Sequence, residues 1–484
     1  MMPHPPRRSI RPYPRPGLRL VHGLTVALLT FGAAGARADL ASDLPIGAGY
    51  AAAELCTRTM QSGDQFARVR DDYTAPIVEP LPLLWQIDYQ ALSKVTVSAT
   101  LGNLNTSRTA IFRPGLGCTI VPPGTSEDTV RAQPFTPARA PAWTPLAWPL
   151  GDAPAQTSLP GPAQRALLQQ HADALFAEAE DPDALRQNTI AFLVAQDGHL
   201  VYERYGAGYG QAQPQLGWSM TKSLTALLAG VLAGDAKVQL DLPVLQRFAG
   251  TPKQAITWRH LLHMASGLEW DEGYGGNSDV TRMLVSAADA GGYTADKPLV
   301  HEPGSHFNYS TGDATLAMLA MRELLGGSSQ ALFQTCQSRL FAPLGMRNAV
   351  VEQDASGTPI GGARGVLRPR DWLRLGQLVL DDGVWRGRRI VPSDFLAFIK
   401  TPSPAYDGYG GYVWLHKATP ADLQPRLPTD LLWFAGHLGQ YVVILPTQKL
   451  LVLRMGVSQD TTQTEHLLFS AVADLVDSLR QAKR

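Results

Sequence analysis

Residues 217–230 read GWSMTKSLTALLAG. After Trp218 the stretch has helical spacing: Leu224, Leu227, Leu228 and Val231 recur at three- and four-residue intervals, with alanines in most of the gaps. That pattern predicts a helix buried nearly all round. Its first turn nevertheless carries Lys222, three residues after Ser219. An unpaired buried ammonium is costly, so Lys222 requires a partner, a shifted pKa or a chemical task. Residues i and i+3 share a helix face, which brings the amine within reach of the serine hydroxyl. That hydroxyl is a poor nucleophile until a base takes its proton. A lysine in an apolar pocket can be the base, and the free N–H groups of a helix N-terminus can stabilise an oxyanion. The plain alternative is an N-cap serine and a lysine whose head reaches solvent. S-x-x-K alone does not choose between them, because a chain of this length contains it on the order of once by chance.

The surroundings give the fold class. AQRALLQQHADALFAEAE, from Ala163, predicts an amphipathic helix that ends before Asp181-Pro182. TIAFLVAQDGHLVYERY reads as two strands joined at Asp197-Gly198, a strong hairpin signal. Residues 254–340 are mostly helical in pattern, with long loops. Strand signals return in YGGYVWLH, LLWFAGHLGQYVVILP and QKLLVLRMG, and TEHLLFSAVADLVDSLRQ closes the chain as a helix. This order predicts an α+β fold: an antiparallel sheet flanked by helices, with a mostly helical subdomain inserted beside it.

The 484 residues are 45% apolar and 17% charged, with 42 basic and 42 acidic side chains. No basic excess suggests nucleic acid. Residues 1–38 combine a basic, proline-rich start, the apolar run LTVALLTFGAAGA and Ala36-Arg37-Ala38, the three parts of a signal peptide. The expectation is an exported protein, periplasmic or secreted, without stable membrane insertion after cleavage; an uncleaved anchor is the alternative. Residues 39–121 read as a small N-terminal accessory region. Residues 122–162, rich in Pro and Ala, read as a linker or strap, and 163–484 as the main domain. In an oxidising compartment Cys56 and Cys118 are candidates to pair, the alternative being two separate buried thiols. Cys336 reads as an inert buried thiol.

Two later stretches complete a pattern with Ser219 and Lys222. One is Pro303-Gly304-Ser305-His306-Phe307-Asn308-Tyr309-Ser310-Thr311, the other Gly436-His437-Leu438-Gly439-Gln440. With ITWRHLLHMASGL and LRPRDWLRLGQLVLDDGVWRGRRIVP they follow in the order of the serine β-lactamase and penicillin-binding protein superfamily. Over about residues 163–480 the chain resembles its class C-like branch, and among these the 6-aminohexanoate-dimer hydrolases most closely. The resemblance implies a β-lactamase/transpeptidase-like fold and a serine hydrolase working through an acyl-enzyme, with no metal or organic cofactor. Ser219 matches the nucleophile, Lys222 its lysine partner and Tyr309 the tyrosine of Y-x-N. Which of Lys222 and Tyr309 is the base stays open; the phenol is expected to be shifted down by Lys222. The resemblance places the oxyanion hole at the backbone N–H groups of Ser219 and Gln440. His437-Leu438-Gly439 matches the K-T-G strand, with Gly439 keeping the substrate path clear.

Two departures bear on substrate. Thr311 stands where the family has Asn, and His437 and Leu438 replace Lys and Thr. Loss of the hydroxyl at Leu438 argues against efficient β-lactam hydrolysis, while His437 can still donate a hydrogen bond or carry charge below neutral pH. Trp270, Asp271 and Tyr274, in a loop that the family turns toward substrate, join His437, Gly439 and Thr311 as candidate substrate contacts. Asp271 is the candidate partner for a substrate ammonium. The expected activity is cleavage of a small amide or ester; a DD-peptidase or weak β-lactamase, and a non-catalytic binding protein, are the alternatives. His301-Glu302-Pro303-Gly304-Ser305-His306 lacks H-E-x-x-H spacing, and Pro-Gly prevents the helix that a zinc motif needs.

Overall fold

The structure, a computed structural model, describes residues 40–138, 141–181 and 184–482. The expected signal segment lies outside the described residues. The chain from Leu40 opens with α1 (Leu40–Cys56). A four-stranded antiparallel meander follows: β1 (Trp85–Gln90), β2 (Lys94–Leu101), β3 (Leu104–Arg113) and β4 (Gly117–Val121). Small residues of α1, among them Ala48, Ala51 and Ala52, pack on Val95, Val97 and Ala110 of this sheet. A Cys56–Cys118 disulfide ties helix to sheet.

The main sheet has six antiparallel strands. They are β5 (Thr189–Gln196), β6 (His199–Tyr205), β7 (Trp414–Leu415), β8 (Leu432–Gly436), β9 (Gln440–Leu445) and β10 (Leu450–Gly456), in spatial order β7-β8-β9-β10-β5-β6. β5 and β6 turn at Asp197 (φ 49°) and Gly198 (φ 77°), the left-handed pair that a two-residue hairpin requires. The inner strands are buried on both faces and the side chains alternate. Phe192, Val194, Val443 and Val452 face two helices, Pro162–Phe176 and Thr461–Ala482. Leu193, Val442, Ile444 and Leu451 face the opposite core.

That opposite core holds the helix Met220–Gly234, buried from Met220 to Leu232, and Pro369–Leu380 beside it. The mostly helical part, including Thr311–Leu324, packs against the Met220 helix. The first helix of the main domain stops at Phe176, short of the Asp181-Pro182 break. Its continuation is drawn into a loop, where the Glu178 carboxylate accepts from the amides of Gln187 (2.9 Å) and Asn188 (2.6 Å).

Buried charges join the N-terminal region to the rest. Arg364 pairs with Glu352 (2.6 Å) and Glu54 (3.2 Å), and Glu352 accepts from the Cys118 amide (2.7 Å). Within the proline-rich stretch, residues 148–149 lie against the Pro369 helix: Trp148 is buried and donates to the Arg370 carbonyl, while Arg374 donates to the carbonyl of Pro149.

Candidate active site

Ser219 sits at the N-cap of the Met220–Gly234 helix and makes no side-chain capping bond. Its hydroxyl is therefore free for other partners. Trp218, just before it, holds φ at 48°, a strained conformation for a bulky residue. Packing fixes it: the indole stacks with Tyr50 (5.8 Å) and meets Tyr274 (5.9 Å) and His437 (5.2 Å) edge-on.

Lys222 is 1% exposed. Its Nζ lies 2.9 Å from Ser219 Oγ, 2.8 Å from Thr311 Oγ1 and 2.9 Å from the Gly362 carbonyl. Glu272 Oε1 is 3.8 Å away. Burial pulls the Lys222 pKa down to about 8, against the opposing charges of Glu272 and Asp313. Glu272 is held in turn. It accepts from the Thr311 hydroxyl (2.5 Å), the Thr311 amide (2.8 Å) and the Trp270 indole N–H (2.6 Å). The carboxylate thus sits at the N-terminus of the Thr311–Leu324 helix, where the backbone dipole favours negative charge. In the same first turn, Asp313 accepts from Ser266 (3.0 Å), and burial raises its pKa to about 7.

Tyr309 lines the same cavity as Ser219, and its ring centroid lies 4.5 Å from Lys222 Nζ. The ring stacks on Trp414 at 5.3 Å. Its pKa departs from the expectation. Burial first, and then the Glu272 charge, push the phenol up rather than down, so Tyr309 stays protonated. Ser219, Glu272, Tyr274, Tyr309, Trp414, Trp433, Gly436, His437, Tyr441 and Glu465 line one open cavity of about 370 Å³.

Several expected contacts fall elsewhere. Gln440 begins β9, the second strand from the site, and its side chain turns inward to the carbonyls of His437 and Leu438, both at 3.1 Å. β8 borders the serine segment instead: a Cβ on Gly436 would come 2.2 Å from the Gly217 carbonyl oxygen. The backbone segment facing Ser219 is therefore Gly436-His437, not Gln440. Gly439 does not guard the substrate path. It holds φ at 83° in the β8–β9 turn, and a Cβ there would meet Arg454 at 2.4 Å. Trp270 is 8% exposed and packs on Val280, Met283 and Ala290, away from the cavity. Asp271 stabilises its own loop, accepting from the Gly273 amide at 2.9 Å. Thr311 is wholly buried and orients Lys222 and Glu272 rather than substrate. Tyr274 and His437 do line the cavity, stacked at 4.7 Å. Burial lowers the His437 pKa to about 4, so the ring is neutral near neutral pH.

Sequence alone does not single out Glu272. Glu269, Asp271 and Glu272 crowd the same short loop, and nothing in the order of three acids shows which one turns inward.

An antiparallel sheet, a buried helix bearing Ser219 and Lys222, and a helical region carrying Tyr309 are the architecture of the β-lactamase fold. The chain belongs to the Beta-lactamase family, whose model matches residues 172–476. Solved structures share this fold. A Bacillus anthracis protein designated a 6-aminohexanoate-dimer hydrolase superposes with a TM-score of 0.52 at 21% identity, over 71% of this chain and 88% of that one. A Bacteroides dorei protein designated a β-lactamase gives 0.51 at 17% identity, over 65% and 98%. EstCE1, described as a hydrolase with promiscuous acyltransferase activity, gives 0.50 at 18% identity, over 64% and 98%.

Proposed function

We propose that the protein is an exported serine hydrolase that cleaves a small amide or ester through an acyl-enzyme on Ser219. The partner set of Lys222 Nζ carries this reading. A neutral amine has two N–H donors and one lone pair. The Gly362 carbonyl takes one donor. The Thr311 hydroxyl gives its proton to Glu272 and therefore accepts the second. The lone pair is left facing Ser219 Oγ, 2.9 Å away. A pKa of about 8 makes that neutral form accessible near neutral pH.

In this account Lys222 takes the Ser219 proton as Oγ bonds to the substrate carbonyl carbon. The carbonyl oxygen becomes an oxyanion beside the amides of Ser219 and His437. Collapse breaks the bond to the leaving amine or alcohol, which receives a proton from Tyr309, and Lys222 returns one to the phenol. Water, deprotonated along the same path, then cleaves the acyl-enzyme and restores Ser219. A carboxylate-bearing substrate, as a DD-peptidase or β-lactamase takes, finds no lysine or arginine among the residues lining the cavity. The test is hydrolysis of p-nitrophenyl acetate and a short anilide by the protein and by Ser219→Ala. Turnover that disappears with the serine supports the reading; equal turnover by both contradicts it.

A further inference from the structure

The outer wall of the cavity has a composition that the catalytic steps leave unused. Trp414, Trp433 and Tyr441 run side by side, with centroids 5.8 Å apart from Trp414 to Trp433 and again from Trp433 to Tyr441. Glu465, on the C-terminal helix, lines the same cavity. Its Oε2 accepts from the Tyr441 hydroxyl at 3.5 Å, and no ion pair reaches it among the described residues. Burial raises its pKa, as expected for a carboxylate without a cation.

The other charges of the cavity leave Glu465 as its uncommitted group. Glu272 is occupied by Thr311, Trp270 and Lys222. His437 is neutral near neutral pH. A half-buried carboxylate in a cavity lined by aromatic rings attracts a cation by charge and repels an anion, while the rings offer apolar surface to the alkyl chain that carries the cation.

We propose that Glu465, Trp414, Trp433 and Tyr441 form a subsite for a protonated amine, so that the preferred substrate carries an ammonium group on one side of its scissile bond. The proposal rests on reading this cavity as the substrate site of a serine hydrolase. It adds a preference that neither the fold nor the serine–lysine pair contains.

The test separates the two readings by measuring binding without turnover. The full chain bearing Ser219→Ala is titrated calorimetrically at neutral pH with n-pentylammonium, n-pentanol and pentanoate. The ammonium is expected to bind about tenfold or more tightly than the alcohol, with pentanoate weakest. Adding Glu465→Gln is expected to bring the amine and alcohol to similar affinity, whereas Glu465→Asp keeps part of the preference. A thermal melt of each variant confirms that it is folded. Equal affinities for amine and alcohol in the Ser219→Ala protein, no binding of any of the three, or a preference that survives Glu465→Gln would overturn the proposal. The hydrolase reading fails by a different sign, the absence of covalent labelling at Ser219.

Discussion

Lys222 Nζ lies 2.9 Å from Ser219 Oγ, at the inner end of a chain of hydrogen bonds that runs through Thr311 to Glu272. The lysine is buried, so its protonation state depends on these few neighbours rather than on water.

Replacing Lys222 by Met removes the base while filling the same space. We expect kcat/KM on a neutral ester to fall about 10³-fold, within the usual worth of a positioned base. Lys222→Arg does not restore it, because a guanidinium stays protonated. Steady-state kinetics on both variants check this, and retention of a tenth of the activity by Lys222→Met would contradict it.

The rate should depend on pH through Lys222. With its pKa lowered to about 8, the amine is protonated and inactive below that pH, and kcat/KM rises toward a plateau above it. Glu272 raises this pKa by its charge. Glu272→Gln should therefore move the rising limb to lower pH, whatever it does to the plateau. A limb that stays in place or moves up in the pH–rate profile would show that Glu272 does not set the lysine's charge.

Thr311 is a positioning residue, holding Lys222 and Glu272 at once. Thr311→Val keeps the shape and deletes the hydroxyl, leaving both partners short of a hydrogen bond. We expect kcat to fall by about 10- to 100-fold with little change in KM, since no substrate contact is lost. Thr311→Ser should recover most of the rate. An unchanged kcat in Thr311→Val would mean that the hydroxyl does not position the lysine.

The Cys56–Cys118 bridge closes a loop of 62 residues in sequence separation. Chain entropy assigns such a bridge about 4 kcal/mol, which Cys56→Ser with Cys118→Ser would remove. The N-terminal region supplies Tyr50, stacked on Trp218 next to the nucleophile. The double variant should melt at lower temperature and lose activity in parallel with the folded fraction. An unchanged melting temperature would show that the bridge adds nothing to the fold.

Much of this arrangement is written in local patterns. The buried helix after Trp218 follows from leucines at helical spacing, and the β5–β6 hairpin from Asp197-Gly198, whose left-handed angles few other pairs adopt. The pairing of Cys56 with Cys118 agrees with the reading of the N-terminal region. Structure and sequence part where function depends on where a strand ends. Gly436-His437-Leu438-Gly439-Gln440 contains two glycines, and sequence does not show which abuts the nucleophile. β8 ends at Gly436, so Gly439 serves the turn and Gln440 faces inward. The 269–274 loop is illegible for a related reason. Trp270, Asp271 and Glu272 are adjacent, and only the packing of Trp270 against Val280 and Met283 decides that Glu272 meets the lysine. The rise of the Tyr309 pKa needs burial and the nearby Glu272 charge, and neither is visible in Y-x-T.

The most direct test of the central claim is the intact mass of the protein after exposure to a fluorophosphonate, beside the Ser219→Ala variant. A single phosphonyl adduct is expected, and it is lost in the variant. No adduct on the folded protein, or one that persists without Ser219, would contradict an activated nucleophile at this position.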